Sequence, residues 1–348
     1  MSDNLLRQTG LFDFACAPSD LVGSAALEIS DDVGRWRARD VTYVAGKWRS
    51  LSRIIPAFFT DDFRAYPDGP PNPHLRAVIR RPLTPAEQPI PVGVVSNSYR
   101  LPQHAEVVER CFEGLSEQKI DPQSLRCEIG LTPLGEWMNF RAYFPEDFSH
   151  TPADGNKLAL RLECCNSVDG SSRLVILLGW LRYVCSNGFV IGETKAALRD
   201  VHDFALDLEG IPKIIAHRMT KVDLEISRLR RWEKTALDFP RFRAWVDGAL
   251  AKEWGKKAAY RVLHICANGT DVEIIDPFDP GRPSEKRTRP IADVPGATIP
   301  ARNLYDVSQA LSWVATRRAN PEERLEWQGR IPVLIASAAA EATARPIP

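Results

Sequence analysis

The chain has 348 residues with 45 Lys plus Arg, 45 Asp plus Glu and a formal net charge of zero. That balance excludes the global positive field of a dedicated duplex-binding protein, although it leaves room for a local basic groove. The length predicts about two domains, and a hydrophobic share of 44% supports a folded chain. No apolar run approaches the ~20 residues of a membrane helix. Residues 1–10 lack the basic-then-apolar order of a signal peptide. The expectation is a cytoplasmic protein with no membrane partner. Cys16, Cys111, Cys127, Cys164, Cys165, Cys185 and Cys266 show no Cys-x-x-Cys spacing. They read as free, mostly buried thiols with no metal site.

In chain order, residues 1–30 have weak periodicity and read as a partly ordered arm. Residues 33–66 read as strands with a turn at Gly46. Here Arg35, Arg37, Arg39, Lys47 and Arg49 interleave with Trp36, Tyr43 and Trp48. Cations between aromatics suit single-stranded nucleic acid, because rings stack on bases while cations hold phosphates. Plain alternation on a half-buried strand pair produces the same pattern and is the more economical reading. Residues 67–91 are proline-rich loops around a strand at 75–80. A strand at 92–95 and a turn at 96–98 lead through Pro102 into a helix. Val107, Val108, Cys111, Phe112 and Leu115 form its apolar face, and it ends at Gly114 or a few residues beyond.

Residues 127–148 read as two strands around a turn at 133–136, and residues 151–156 as another turn. Residues 158–183 read as a hairpin. Its turn, Asn166-Ser167-Val168-Asp169-Gly170-Ser171, has a mechanism: Asn and Asp bond their own backbone, and Gly170 supplies positive φ. Asn187-Gly188 is a second turn. The fold class predicted is α+β, a central antiparallel sheet with a packed helix followed by a mostly helical second half.

That second half starts with helices at 193–209 and 211–237. The longer one carries a stripe of Ile215, Val222, Ile226 and Leu229, with Pro212 in its first turn. Asp238-Phe239-Pro240 breaks it before a helix at 241–254. Residues 213–261 hold thirteen Lys or Arg against six Asp or Glu, so this half is locally basic. Ion pairs such as Glu225 with Arg228 and Arg230 with Glu233 would reduce that surplus to a solvated face. Residues 276–302 form a Pro- and Arg-rich loop too long for an ordinary connection. A helix at 303–318 follows, and the Ala-rich tail from Ser337 is expected to fray. The division is 1–74, arm and strands; 75–192, antiparallel α+β core; 193–348, helical region.

There is no Gly-x-x-x-x-Gly-Lys loop, no Gly-x-Gly-x-x-Gly and no Gly-x-Ser-x-Gly. No catalytic residue, metal or cofactor is therefore predicted. Asp169 with His202 and Asp203 supports only a weak enzymatic alternative.

Four stretches taken together carry a resemblance. They are residues 92–100 (VGVVSNSYR), the turn at 166–171 (NSVDGS), residues 182–188 (RYVCSNG) and residues 303–307 (NLYDV). Across about residues 75–332 the chain resembles the domain of unknown function 932 family, phage- and plasmid-associated proteins of mobile elements. Asn166, Asp169, Gly170, Asn187 and Gly188 are the motif residues. The chain departs from the pattern in the 276–302 loop and at Gln309-Ala310, where Asn-Ala is expected. The resemblance implies context and no activity.

Two functions of different class follow. One is a protein binding single-stranded DNA in an annealing or recombination role, through Arg161, Arg173, Arg182, Lys213, Arg218, Lys221, Arg228, Arg230, Arg231 and Lys234. The other is a non-enzymatic accessory factor that binds a host or phage protein, such as a defence enzyme. Either role is compatible with an oligomer. A continuous positive groove from the hairpin to the helix favours the first, and scattered charge the second.

Overall fold

The computed structural model describes residues 27–36, 39–182, 188–189, 207–275 and 288–343. Five strands precede the first long helix: β1 (Glu28–Trp36), β2 (Arg39–Gly46), β3 (Phe58–Asp62), β4 (Leu75–Arg80) and β5 (Ile90–Ser96). The helix α1 (His104–Glu117) leads to β6 (Arg126–Leu131), β7 (Trp137–Tyr143), β8 (Ser149–His150), β9 (Leu158–Ser167), β10 (Val175–Arg182) and β11 (Gly188–Phe189). The main sheet is antiparallel, in the order β1-β2-β6-β7-β9-β10-β11, with β8 beside β9. The expected meander forms from β6, β7, β9 and β10.

Strand β5 does not belong to that sheet. It pairs with β4, and β4 with β3, as a separate three-stranded sheet. Strand β2 pairs with β6, placing Tyr43 opposite Gly130. Pairing therefore crosses the expected boundary at residue 74: β1 and β2 complete the meander, while β3 joins β4 and β5. Gln103 clips the small sheet to the start of α1. Its side chain accepts from Phe58 N at 2.9 Å and donates to Phe58 O at 3.2 Å, extending the ladder of β3.

Period-2 alternation gives the main sheet two different faces. Val44, Ile129, Phe140, Leu160, Leu162 and Ile176 face α1 in the large core. There Trp48, Phe112 and Phe140 meet edge-on at 5.4–5.8 Å between ring centroids. Such contacts each add about 0.5–1.5 kcal/mol to simple burial. The opposite face holds Trp36, Val41, Tyr43, Trp137, Cys165, Val175 and Leu177. Every residue of β9 is buried, because both faces of the sheet are covered.

The second half contains α2 (Ile211–Met219), α3 (Val222–Lys234) and α4 (Phe239–Trp245), the last running through a π-helical turn, Val246–Leu250, into Ala251–Trp254. Then come α5 (Lys256–Asn268), β12 (Thr270–Ile274), β13 (Thr288–Asp293), α6 (Leu304–Thr316) and α7 (Pro321–Thr343). Leu325 of α7 caps the second face of the sheet. The expected helix at 211–237 is two helices. At the break the Thr220 hydroxyl donates to His217 O at 2.8 Å, satisfying a carbonyl that a continuing helix would use. The break lets α2 pack on α1 and α3 pack on α6. Helix α1 ends at Glu117, a few residues beyond Gly114 as expected, and Gly114 makes the first contact possible: a Cβ there would lie 2.5 Å from Pro212 O.

Part of the expected 276–302 loop is strand. β13 pairs with β12, and Pro290 is tolerated because a two-stranded ribbon has open edges. Residues 276–287 lie outside the described residues, as do residues 193–206 of the helix expected at 193–209 and residues 1–26 of the arm expected at 1–30; residues 28–30 belong to β1, and residues 207–209 are not helical. The tail from Ser337 to Thr343 is helical, not frayed. Ile335 and Ala338 are core residues, and Trp245 Nε1 donates to Ser337 Oγ at 2.8 Å. Short alanine side chains permit that close packing. Among the described residues no helix is long and apolar enough to cross a membrane. Cys111, Cys127, Cys164, Cys165 and Cys266 are buried and form no disulfide; Cys16 and Cys185 lie outside the described residues.

Candidate nucleic-acid interface

The second face of the sheet carries a polar row set by register. Glu128 on β6 sits opposite Arg141 on β7, which sits opposite Glu163 on β9. Arg141 Nη1 donates to Glu128 at 2.8 Å and its Nε donates to Glu163 at 3.2 Å. Arg161 reaches Glu163 at 2.5 Å. Asn139 donates to Glu163 at 3.0 Å and accepts from the Tyr43 hydroxyl at 3.0 Å. The Arg141 guanidinium lies 4.5 Å from the Tyr43 ring centre. Gly130 leaves room for that ring, since a Cβ there would lie 2.5 Å from it.

Burial alone would raise the Glu163 pKa. Arg161, Arg141 and Arg324, with the Asn139 hydrogen bond, outweigh burial and hold it at about 2. Burial raises the Tyr43 and Tyr143 phenols despite neighbouring arginines, so both stay protonated. Two carboxylates and two guanidiniums thus neutralise each other inside the protein. Arg161 is 9% exposed and committed to Glu163, which removes it from the phosphate-binding set. Sequence reading missed Glu128, Asn139 and Arg141. The available signal was polar residues recurring every second position in consecutive strands.

The turn at 166–171 behaves as its chemistry dictates. Asp169 accepts from Ser171 N at 2.9 Å, and Gly170 has φ +73°. Asn166 reaches back to the start of α1, donating to Pro102 O at 3.2 Å and to His104 Nδ1 at 2.9 Å. His104 Nε2 lies 2.8 Å from Gly135 O, which requires the Nε2–H tautomer and leaves Nδ1 to accept. His104, fully buried, was not singled out from the sequence. Gly93 of the small sheet lies against Asp169, where a Cβ would come within 2.7 Å. Arg39 pairs with the buried Glu136 and lies 3.8 Å from Asp169. This motif joins the two sheets and α1. Asn187, His202 and Asp203 lie outside the described residues, and Gly188 is in β11 opposite Leu181.

The aromatic–basic alternation near the N-terminus is a core pattern. Trp36, Tyr43 and Trp48 are 1%, 0% and 6% exposed, so none can stack on a base. Lys47 donates to Ser124 O at 2.6 Å.

Exposed cations remain on α2 and α3. Residues 211–234 hold seven Lys or Arg against three Asp or Glu. Lys213, Lys221, Arg230, Arg231 and Lys234 are exposed, and Arg218 is half-buried. Arg228 is also half-buried and pairs with Glu225 at 3.0 Å, as the sequence suggested. Glu233 pairs differently: it accepts from Ala153 N at 2.6 Å. Leu229 and Trp232 anchor the inner face of α3. By helical spacing Arg230 and Lys234 share one flank, while Lys221, Arg228 and Arg231 share the other. Arg173 is exposed at the hairpin turn, and the Arg182 side chain lies outside the described residues.

A family model described as "Domain of unknown function (DUF932)" matches residues 91–271. That span runs from β5 through the meander and both basic helices into β12. Neither the curated proteins nor the solved structures yield a match.

Proposed function

The chain belongs to the DUF932 family, whose description names no activity, and from its own geometry we propose that it binds nucleic-acid backbone through α2 and α3. The observation that carries this reading is the contrast in pairing. Arg141 and Arg161 are neutralised in the core, while Arg230, Arg231 and Lys234 stand exposed at one end of α3. Cations of that kind supply affinity by releasing condensed counterions. An annealing or recombination role in a mobile element fits both this surface and the family resemblance.

The test is fluorescence polarisation with labelled single-stranded and duplex oligonucleotides across a salt series. Replacing Arg230 and Lys234 together with Ala should weaken binding to all sequences alike. On single strands each lost phosphate contact flattens the log–log salt slope by about 0.7, so the pair should remove about 1.4. An unaltered slope clears α3 of the role. Failure of the parent protein to bind at low salt rejects the reading. The accessory-factor reading would then lead, supported by Ile275, Ile291 and Ile299, which are exposed in and beside the β12–β13 ribbon.

A further inference from the structure

We propose that Leu224 is an apolar contact for unpaired bases, which makes single-stranded nucleic acid the preferred ligand of α3. This inference rests on the backbone-binding reading above. Leu224 is 63% exposed, although the other apolar residues of α3 turn inward. Leu229 and Trp232 are buried, and Val222 and Ile226 pack against the core. Lys221 lies three residues before Leu224, Arg228 four after it and Arg231 seven after it. Helical spacing puts these four on one stripe. An exposed leucine between the exposed Lys221 and Arg231, with Arg228 paired to Glu225, is complementary to a polyanion with apolar surface between its charges. Base faces provide that surface in a single strand, whereas a duplex stacks them away. The aromatic side chains that interleave with the N-terminal cations, Trp36, Tyr43 and Trp48, are buried, and the exposed Tyr66 lies outside α3. Leu224 therefore supplies apolar contact where phosphate binding alone would not distinguish strands from duplex.

The experiment compares the full chain with Leu224→Ala and Lys221→Ala on a labelled 20-mer, its duplex and vesicles containing anionic lipid. Leu224→Ala should weaken single-strand binding about five- to tenfold, the order expected for losing most of a leucine contact. Its salt slope and duplex affinity should match the parent. Lys221→Ala should weaken both nucleic acids and flatten both slopes. Because Leu224 is exposed, circular dichroism and the unfolding midpoint of Leu224→Ala should equal the parent's. Equal affinity of parent and Leu224→Ala for the single strand would overturn the base contact and leave the backbone reading standing. So would equal losses on strand and duplex. A Leu224→Ala loss confined to vesicles would overturn it in favour of a membrane surface. Absence of any nucleic-acid binding by the parent would remove both readings together.

Discussion

The arginines of the sheet and those of α3 are treated in opposite ways. On the sheet, Arg141 and Arg161 are buried beside Glu128 and Glu163; register sets Arg141 between its two carboxylates on neighbouring strands, and Arg161 reaches Glu163 two residues along the same strand. On α3, Arg230, Arg231 and Lys234 point to solvent. A buried charge must be matched because desolvation is expensive. An exposed cation stays hydrated until a ligand arrives. The number of cations is thus a poor guide to binding, and the number left unpaired on the surface is a better one.

The largest expected effect breaks the buried half of this comparison. Arg141→Ala would strip Glu128 and Glu163 of a shared partner, and urea unfolding should show a loss of about 3–5 kcal/mol. Stability close to the parent's would mean that the row carries little of the fold.

Acid titration sharpens the same half. The folded-state pKa of Glu163 is depressed from 4.5 to about 2. Its contribution is therefore fully present above the unfolded value and is lost as pH falls through the interval between those values. Unfolding midpoints measured from pH 6 down to pH 2 should fall for the parent. Glu163→Gln should start lower at neutral pH and fall less over that interval, since its amide does not titrate. Parallel curves would remove Glu163 from the acid response.

The smallest effect belongs to the exposed half. Arg230→Ala with Lys234→Ala should change stability by no more than about 0.5 kcal/mol, because exposed charges away from special features contribute little. A larger loss would show these cations holding the fold and would undercut the binding role proposed for them.

Much of the fold was legible locally. Alternation located the strands, the Asp169-Gly170 chemistry set the hairpin turn, and Asn303 marked the start of α6, where its side chain accepts from Asp306 N at 2.9 Å. The apolar face of α1 followed from helical spacing. Other elements were misread because local composition dominated. Prolines hid β13, alanines made the end of α7 look loose, and an unbroken apolar stripe concealed the division between α2 and α3.

The chain by itself determined where most strands, turns and helices form, because those depend on neighbours a few residues apart. Only the tertiary structure decided which charges are spent. Glu163 is 22 residues from Arg141, and Arg39 is 97 residues from its partner Glu136. The first pair meets through sheet register and the second where the turn between β6 and β7 reaches the start of β2, and no single stretch encodes either. Burial of the sheet's second face withdrew Arg161, paired with Glu163 two residues along β9, from the candidate interface and turned Trp36 and Tyr43 into core. What remains exposed on α3 is the residue of that pairing, and that remainder is where ligand contact is proposed.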